Sequence, residues 1–247
     1  MPDRRRHRGA HPEDARLFAD DALPRLRRAV GDLCWLLERG YPPRAALDLV
    51  GNHSRLTERQ RLAVRRCACS DAQRAERLVR TTTPDSMPDA PVWIDGFNVV
   101  TSVESALGGG VLLLSRDGAL RDMASVHGSY RLVEETHAAL IAIAETLERR
   151  RVRRCRWLLD TPVSNSGRLK TTLLDLAHER GLAWEVELNR FPDRALECAP
   201  EDVIVASADS RIMDRAPHSW QLARETIEGL AGKPWIVDLT GDPSDDE

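Results

Sequence analysis

Three acidic residues close apolar runs in this chain. Val92-Trp93-Ile94 ends on Asp95, Arg156-Trp157-Leu158-Leu159 ends on Asp160, and the run from Val203 to Ala208 ends on Asp209. In a parallel α/β sheet, ligands bind outside the carboxyl ends of the strands, so acids at those tips stand where chemistry is done. Their oxygens are hard donors for a divalent cation, and a carboxylate-held cation suits phosphate chemistry. A divalent cation is therefore the expected cofactor. Asn98 follows Asp95 by three residues, close enough to orient it or a bound phosphate, although a turn or helix cap would also use an Asn there. Ser207 and Ser210 flank Asp209, which stands at a predicted helix start, itself a good place for a phosphate.

A fourth acid is sought at the start of the next predicted helix, where Glu134, Glu135 and the more distant Asp214 compete. Glu135 borders the apolar stripe Leu132, Thr136, Leu140, Ile143 and Leu147, whereas Glu134 points nearly away from it. Glu135 is preferred, although acids favour helix N-termini through the dipole alone. After Asp160, the loop from Thr161 to Arg168 offers hydroxyls and amides, with Arg168 or Lys170 as cations for a phosphate. It lacks the glycine-lysine spacing of a nucleotide P-loop.

The elements that must position these residues follow from periodicity. Strands are predicted at 92–95, 111–114, 154–159, 183–187, 202–206 and 234–239, and helices at 131–150, 167–180, 208–215 and 219–230. This alternation predicts an α/β fold with a mainly parallel sheet sandwiched by helices. Residues 1–83 read as a small, basic, all-helical domain. Leu17, Phe18, Leu23, Leu26, Val30, Leu33 and Leu37 recur at helical spacing over 14–37, and Gly40-Tyr41-Pro42-Pro43 stops that helix. A short helix over 44–50, a turn at 51–54 and a Thr57-capped helix over 58–67 follow. That order is reminiscent of helix-turn-helix readers, but a bundle with a solvated charged face is the preferred reading. Residues 84–91 have linker composition, 92–241 form the α/β domain, and 242–247 are an acidic tail.

Bulk composition narrows the classes. The chain has 247 residues, 42% hydrophobic and 30% charged, with a net charge of −3 and a mean hydropathy of −0.41. Residues 1–90 hold 18 arginines and 13 acids, a balance of +5, and the remainder balances at −8. A basic half beside an acidic one suits phosphate binding next to a metal site, though only Lys170 and Lys233 are lysines, so arginine replaces lysine throughout. No run approaches the roughly 20 apolar residues that span a bilayer, and the basic start lacks the apolar stretch of a signal peptide. The cytoplasm is the expected compartment. Five irregularly spaced cysteines do not form a disulfide framework, Cys67 and Cys69 lack zinc partners, and the seven histidines, His127 among them, lack metal-ligand spacing. Hydrolase elbows and dinucleotide fingerprints are absent.

The segments Arg39-Gly40-Tyr41-Pro42 and Leu49 to Arg61 resemble the helical part of domain-of-unknown-function family 434, whose C-terminal part likewise has no assigned function. Residues 91–240 also resemble, more distantly, the PIN and NYN nuclease domains. Those pair a first-strand Asp-x-x-Asn, here Asp95 and Asn98, with a later Ser-x-Asp motif, here Ser207, Asp209 and Ser210; Arg211 stands where a second Asp is common. The resemblance implies a metal-dependent ribonuclease in which Asp95, Glu135, Asp160 and Asp209 hold Mg²⁺ or Mn²⁺ while Asn98, Ser207 and Ser210 orient them. Arg55, Arg59, Arg61, Arg65 and Arg66, with Arg168 and Lys170, would then grip the RNA backbone without reading sequence. A homodimer is a further expectation. The rivals are a PIN-like module that binds RNA or protein without catalysis, and a phosphate-ester hydrolase.

Overall fold

The computed structural model describes residues 7–124 and 130–240. The acidic tail, the first six residues and His127 lie outside them. Helices α1 (Asp14–Leu17), α2 (Leu23–Glu38), α3 (Pro43–His53), α4 (Glu58–Cys67) and α5 (Asp71–Arg80) come first. The single helix expected over 14–37 is broken, because Pro24 lacks an N–H and occupies the first turn of α2, where that loss costs nothing. Thr57 caps α4 as its type and position predict, in a reciprocal box with Gln60, and Ser70 does the same for α5 with Gln73.

The α/β part then runs β1 (Val92–Asp95), α6 (Gly96–Leu107), β2 (Val111–Leu114), β3 (Leu120–Asp122), α7 (Thr136–Arg149), β4 (Cys155–Asp160) and α8 (Ser166–Arg180). It continues through β5 (Trp184–Asn189), α9 (Pro192–Glu197), β6 (Ile204–Ala206), α10 (Ser210–Met213), β7 (Ser219–Trp220), α11 (Leu222–Glu228) and β8 (Trp235–Asp238). Five strands form an all-parallel sheet in the order β5-β4-β1-β6-β7. Side chains alternate across it. Val92, Ile94, Trp157 and Ile204 face the core under α6, α7, α8 and α11, while Trp93, Leu158 and Val205 face α9 and α10. Gly181 ends α8 in the left-handed conformation that a glycine adopts without steric cost.

A second sheet, β3-β2-β8, stands apart, with β2 parallel to β8 and antiparallel to β3. Both faces of β2 are covered, which explains its unbroken Val-Leu-Leu-Leu run. Leu112 joins the core of the large sheet; Val111 and Leu113 join Leu26, Leu33, Val50 and Val64 of the helical part. The helices and the α/β part thus share one wall of buried side chains. The segment 84–91 is pinned as well: Asp85 ion-pairs with Arg150, and Arg154 Nη2 donates to the Asp89 carbonyl at 3.1 Å. Among the described residues no helix is long and apolar enough to cross a membrane. The five cysteines are free, four of them buried.

Candidate functional site

Strand order places the site. From β1 the chain reaches β4 and β5 on one side, then returns to β6 and β7 on the other. The crevice between β1 and β6 is therefore the topological switch point, where open α/β sheets bind ligands. Asp95 ends β1 there and Ser207 follows β6. Ser207 Oγ donates to Asp95 Oδ2 at 2.7 Å, and the Asp209 N–H donates to Ser207 Oγ at 3.1 Å. Asn98 Oδ1 accepts the Ala208 N–H at 2.9 Å, tying the start of α6 to the loop after β6. Asp209 caps α10, its Oδ1 accepting the Arg211 N–H at 2.8 Å, and stays exposed. Ser210 follows it on the rim of the same cleft.

The acid the sequence reading overlooked is Asp193, in the first turn of α9. It lines the cleft with Asp95 and Asp209, and burial together with the nearby Asp209 and Asp160 carboxylates pushes its proton affinity up. The signal was present: β5 ends at Asn189, and Phe191-Pro192-Asp193 repeats the pattern of an acid just beyond a strand tip, with proline opening a helix. Asp160 ends β4; its Oδ1 is buried without a hydrogen-bond partner, and burial raises its pKa. Burial pushes the Asp95 carboxyl up to about 7; Asp209 and Asp193 add to the rise, and the Ser207 hydrogen bond opposes it. None of these four carboxylates has an ion-pair partner among the described residues.

Glu135 is not brought to them. Its Oε1 lies 2.7 Å from His7 Nδ1, and its Oε2 accepts the Arg8 N–H at 3.3 Å. Arg8 also binds the fully buried Glu104, whose other oxygen accepts the Tyr130 hydroxyl at 2.6 Å. Glu104 sits nine residues beyond Asp95, about 13 Å further along the chain at the α-helical rise. The reading failed because α6, not α7, is the helix that follows β1. Glu134 is exposed beside His7. Asp214 is held by Arg77 Nε at 2.6 Å and Gln73 Nε2 at 3.1 Å, so it serves structure.

The predicted basic residues divide similarly. Arg65 and Arg66 of α4 line a cleft of about 400 Å³ with Asn98, Asp193, Asp209 and Arg211. Arg66 is fixed by the main-chain oxygens of Asp122 and Ala124, the latter at 2.8 Å. Arg59 pairs with the buried Asp14, and Arg61 donates to Asn52 Oδ1 at 2.8 Å; neither faces the cleft. Arg55 lines a separate cavity. Arg168 lies in the first turn of α8 and Lys170 just beyond it, near the rim where β4 ends. Arg211 reaches Glu197 at 2.6 Å.

A buried network that the sequence did not suggest braces this cleft. Asp117 receives Arg77 at 2.6 Å and Arg121 at 2.7 Å. Arg121 Nε also donates to the Ala208 carbonyl at 2.7 Å and Nη1 to the Arg66 carbonyl at 3.0 Å. Burial raises the Asp117 carboxyl, but Arg121 and Arg77 outweigh it and hold it at about 2. Asp122 is likewise spoken for, accepting Ser102 Oγ at 2.8 Å and the Ala124 N–H at 2.6 Å.

Comparison with known proteins divides the chain along the same line. Residues 84–225 match the family described as Domain of unknown function (DUF5616), and residues 25–80 match Protein of unknown function (DUF434). Uncharacterized protein MJ0935 of Methanocaldococcus jannaschii is 28% identical over 210 residues, covering 84% of this chain and 99% of that protein. No solved structure matches the chain. All four acids fall in the first match and Arg65 and Arg66 in the second, so the cleft is assembled from both, and the chain belongs to the DUF5616 family with a DUF434 segment completing one wall of its site.

Proposed function

We propose that this cleft hydrolyses phosphodiester bonds in RNA with the help of a divalent cation. The observation that carries the reading is a set of carboxylates without ion-pair partners: Asp95, Asp193 and Asp209 line the cleft beside Arg66, with Arg65 and Arg211 on its rim, and Asp160 stands at the tip of the neighbouring β4. Uncompensated acids in a half-buried site raise one another's pKa unless a cation joins them. Their chemistry fits Mg²⁺ or Mn²⁺: the donors are hard oxygens, and one of them, Asp160 Oδ1, lacks a partner. Such an ion, when bound, lowers the pKa of water and offsets phosphate charge.

The chain's own residues divide the remaining work. Asp95, ionised above about pH 7, is placed to take a proton from an attacking water, with Ser207 fixing its carboxylate. Arg65, Arg66 and Arg211 bind the phosphate, and Arg121 positions the Ala208 carbonyl and thereby Asp209. Phe191, 64% exposed and two residues before Asp193, offers a ring to a nucleobase. The resemblance of Asp95-x-x-Asn98 and Ser207-x-Asp209 to PIN and NYN domains points to the same chemistry.

A second reading has its own support. Among the described residues, no three His, Cys, Asp or Glu side chains stand close enough to hold a metal ion as they are, and Arg211 turns to Glu197. Both suit a module that binds RNA without cutting it. Incubation of a mixed RNA pool with the purified protein and Mn²⁺, beside the Asp95→Asn/Asp209→Asn variant, separates the two. Cleavage by the wild type alone supports hydrolysis. Binding without cleavage supports the second reading, and turnover of small phosphate esters with RNA left intact supports an esterase.

A further inference from the structure

Away from that cleft, the turn between α3 and α4 forms the wall of another site. His53, Ser54 and Arg55 meet Arg25 and Arg28 of α2 around a cavity of about 260 Å³. The side chains of these three arginines have no carboxylate or hydrogen-bond partner among the described residues, as is also true of Arg44, Arg65 and Arg74, whereas Arg16, Arg59, Arg66, Arg77 and Arg80 are ion-paired; what sets the three apart is that they meet around one cavity. Three exposed like charges facing one another cost only a little, screened as they are by water and salt, and they attract an anion. Arg55 adds a second cost, since its φ of 50° is a left-handed conformation that a glycine would adopt more easily.

His53 also lines the neighbouring cavity, about 340 Å³, with Trp35, Leu36, Leu49 and Val50; Asp32 is the acid on its wall. Trp35 is 55% exposed and Leu49 is 59% exposed. The indole is held in place: the Arg39 guanidinium lies 3.6 Å from its ring centroid, and Arg39 Nη1 donates to the Trp35 carbonyl at 3.2 Å. An indole more than half exposed, with Arg39 stacked on one face, beside arginines without ion partners offers single-stranded nucleic acid both a stacking surface and neutralising charge.

We infer that the α2–α3 face is a second nucleic-acid site, taking a single strand with a base on Trp35 and its phosphates over Arg25, Arg28 and Arg55. The charge favours this occupant over a protein, because three exposed arginines without ion partners, with Asp32 the one acid lining the two cavities, complement a polyanion. The inference stands whether or not the sheet edge cleaves RNA.

The test is binding of a labelled 15-nucleotide single-stranded RNA, and of the same DNA sequence, by the full chain in EDTA, read by anisotropy over a salt series. EDTA removes cleavage from the readout, so failure of hydrolysis and failure of this site remain distinguishable. Trp35→Ala should weaken binding about tenfold, the loss expected of one stacked base. The Arg25→Gln/Arg28→Gln/Arg55→Gln variant should weaken it and flatten the salt slope by about 2, since each phosphate contact on a single strand contributes about 0.7. Arg74→Glu, an exposed charge on α5, should change binding less than twofold. Arg55→Gly serves as the folding control: it relieves the backbone and should keep or raise the melting temperature while still losing affinity. Equal affinity and slope in wild type and the triple variant would overturn the site, as would losses matched by Arg74→Glu. Capture of a labelled acidic peptide that depends on Trp35, with oligonucleotide binding indifferent to it, would overturn it in favour of protein docking.

Discussion

Asp95 carries the largest electrostatic burden in the cleft, and its sign can be checked by stability. An unfolded Asp ionises near 3.8, whereas the folded Asp95 keeps its proton to about 7. Its protonated form favours folding below 3.8, and that advantage is lost progressively as pH rises to about 7. Asp95→Asn should therefore raise stability by roughly 1–3 kcal/mol at pH 8 and change it little at pH 4, in metal-free protein followed by thermal melts. No pH dependence of the difference would mean that Asp95 is not buried among other acids. The same coupling predicts that divalent cations protect the wild type at pH 8 and protect it less at pH 5. At this scale the sequence was a good guide to Asp95, Asn98 and Ser207, because two apolar strands end at them and parallel pairing joins the tips. It was a poor guide to Glu135, whose partners His7, Arg8 and Glu104 are separated from it by long stretches of chain.

The element that aims Asp95 is α6, and its first residue is constrained. A Cβ on Gly96 would lie 2.4 Å from Leu159 Cδ2 and 3.1 Å from the Leu158 carbonyl, both on the neighbouring β4. Gly96→Ala should cost about 1–3 kcal/mol, by overpacking, and lower activity more than Gly167→Ala, where the added carbon meets open space. Comparable losses for both would remove the argument for a tight β1–β4 contact. The helix itself was not legible in the sequence: Phe97, Val99, Val100, Thr101, Ser102 and Val103 are all buried, so α6 shows no polar face to reveal its period. The brief α9, β3 and β7 escaped for want of length. Thr57, by contrast, acts through local backbone chemistry that its type and position display; Ser70 and Pro24 act in the same way but were passed over, and the helix over 14–37 was read as unbroken.

Across the whole molecule, the helical part and the sheet form one structure. Leu113, Val237 and Leu239 are buried against Leu26, Leu33 and Val64. A fragment of residues 84–240 should consequently be insoluble or bind a hydrophobic dye, and a soluble, cooperatively melting fragment would contradict the shared core. Arg77, Asp117 and Arg121 tie the two parts electrostatically. Removing Asp117 leaves the buried Arg121 without a carboxylate, so Asp117→Leu should destabilise by about 3–5 kcal/mol, measured by urea unfolding. A pair as distant in sequence as Arg77 and Asp117 leaves no trace in residue spacing, and the sequence alone therefore suggested separate domains. The most direct test of the account compares single-turnover RNA cleavage across a Mn²⁺ titration for wild type, Asp193→Asn and Glu135→Gln. A cleft built on Asp95, Asp193 and Asp209 predicts a loss of about a hundredfold or more for Asp193→Asn and near-wild-type cleavage for Glu135→Gln; the reverse ranking, or cleavage indifferent to Asp193, would contradict it.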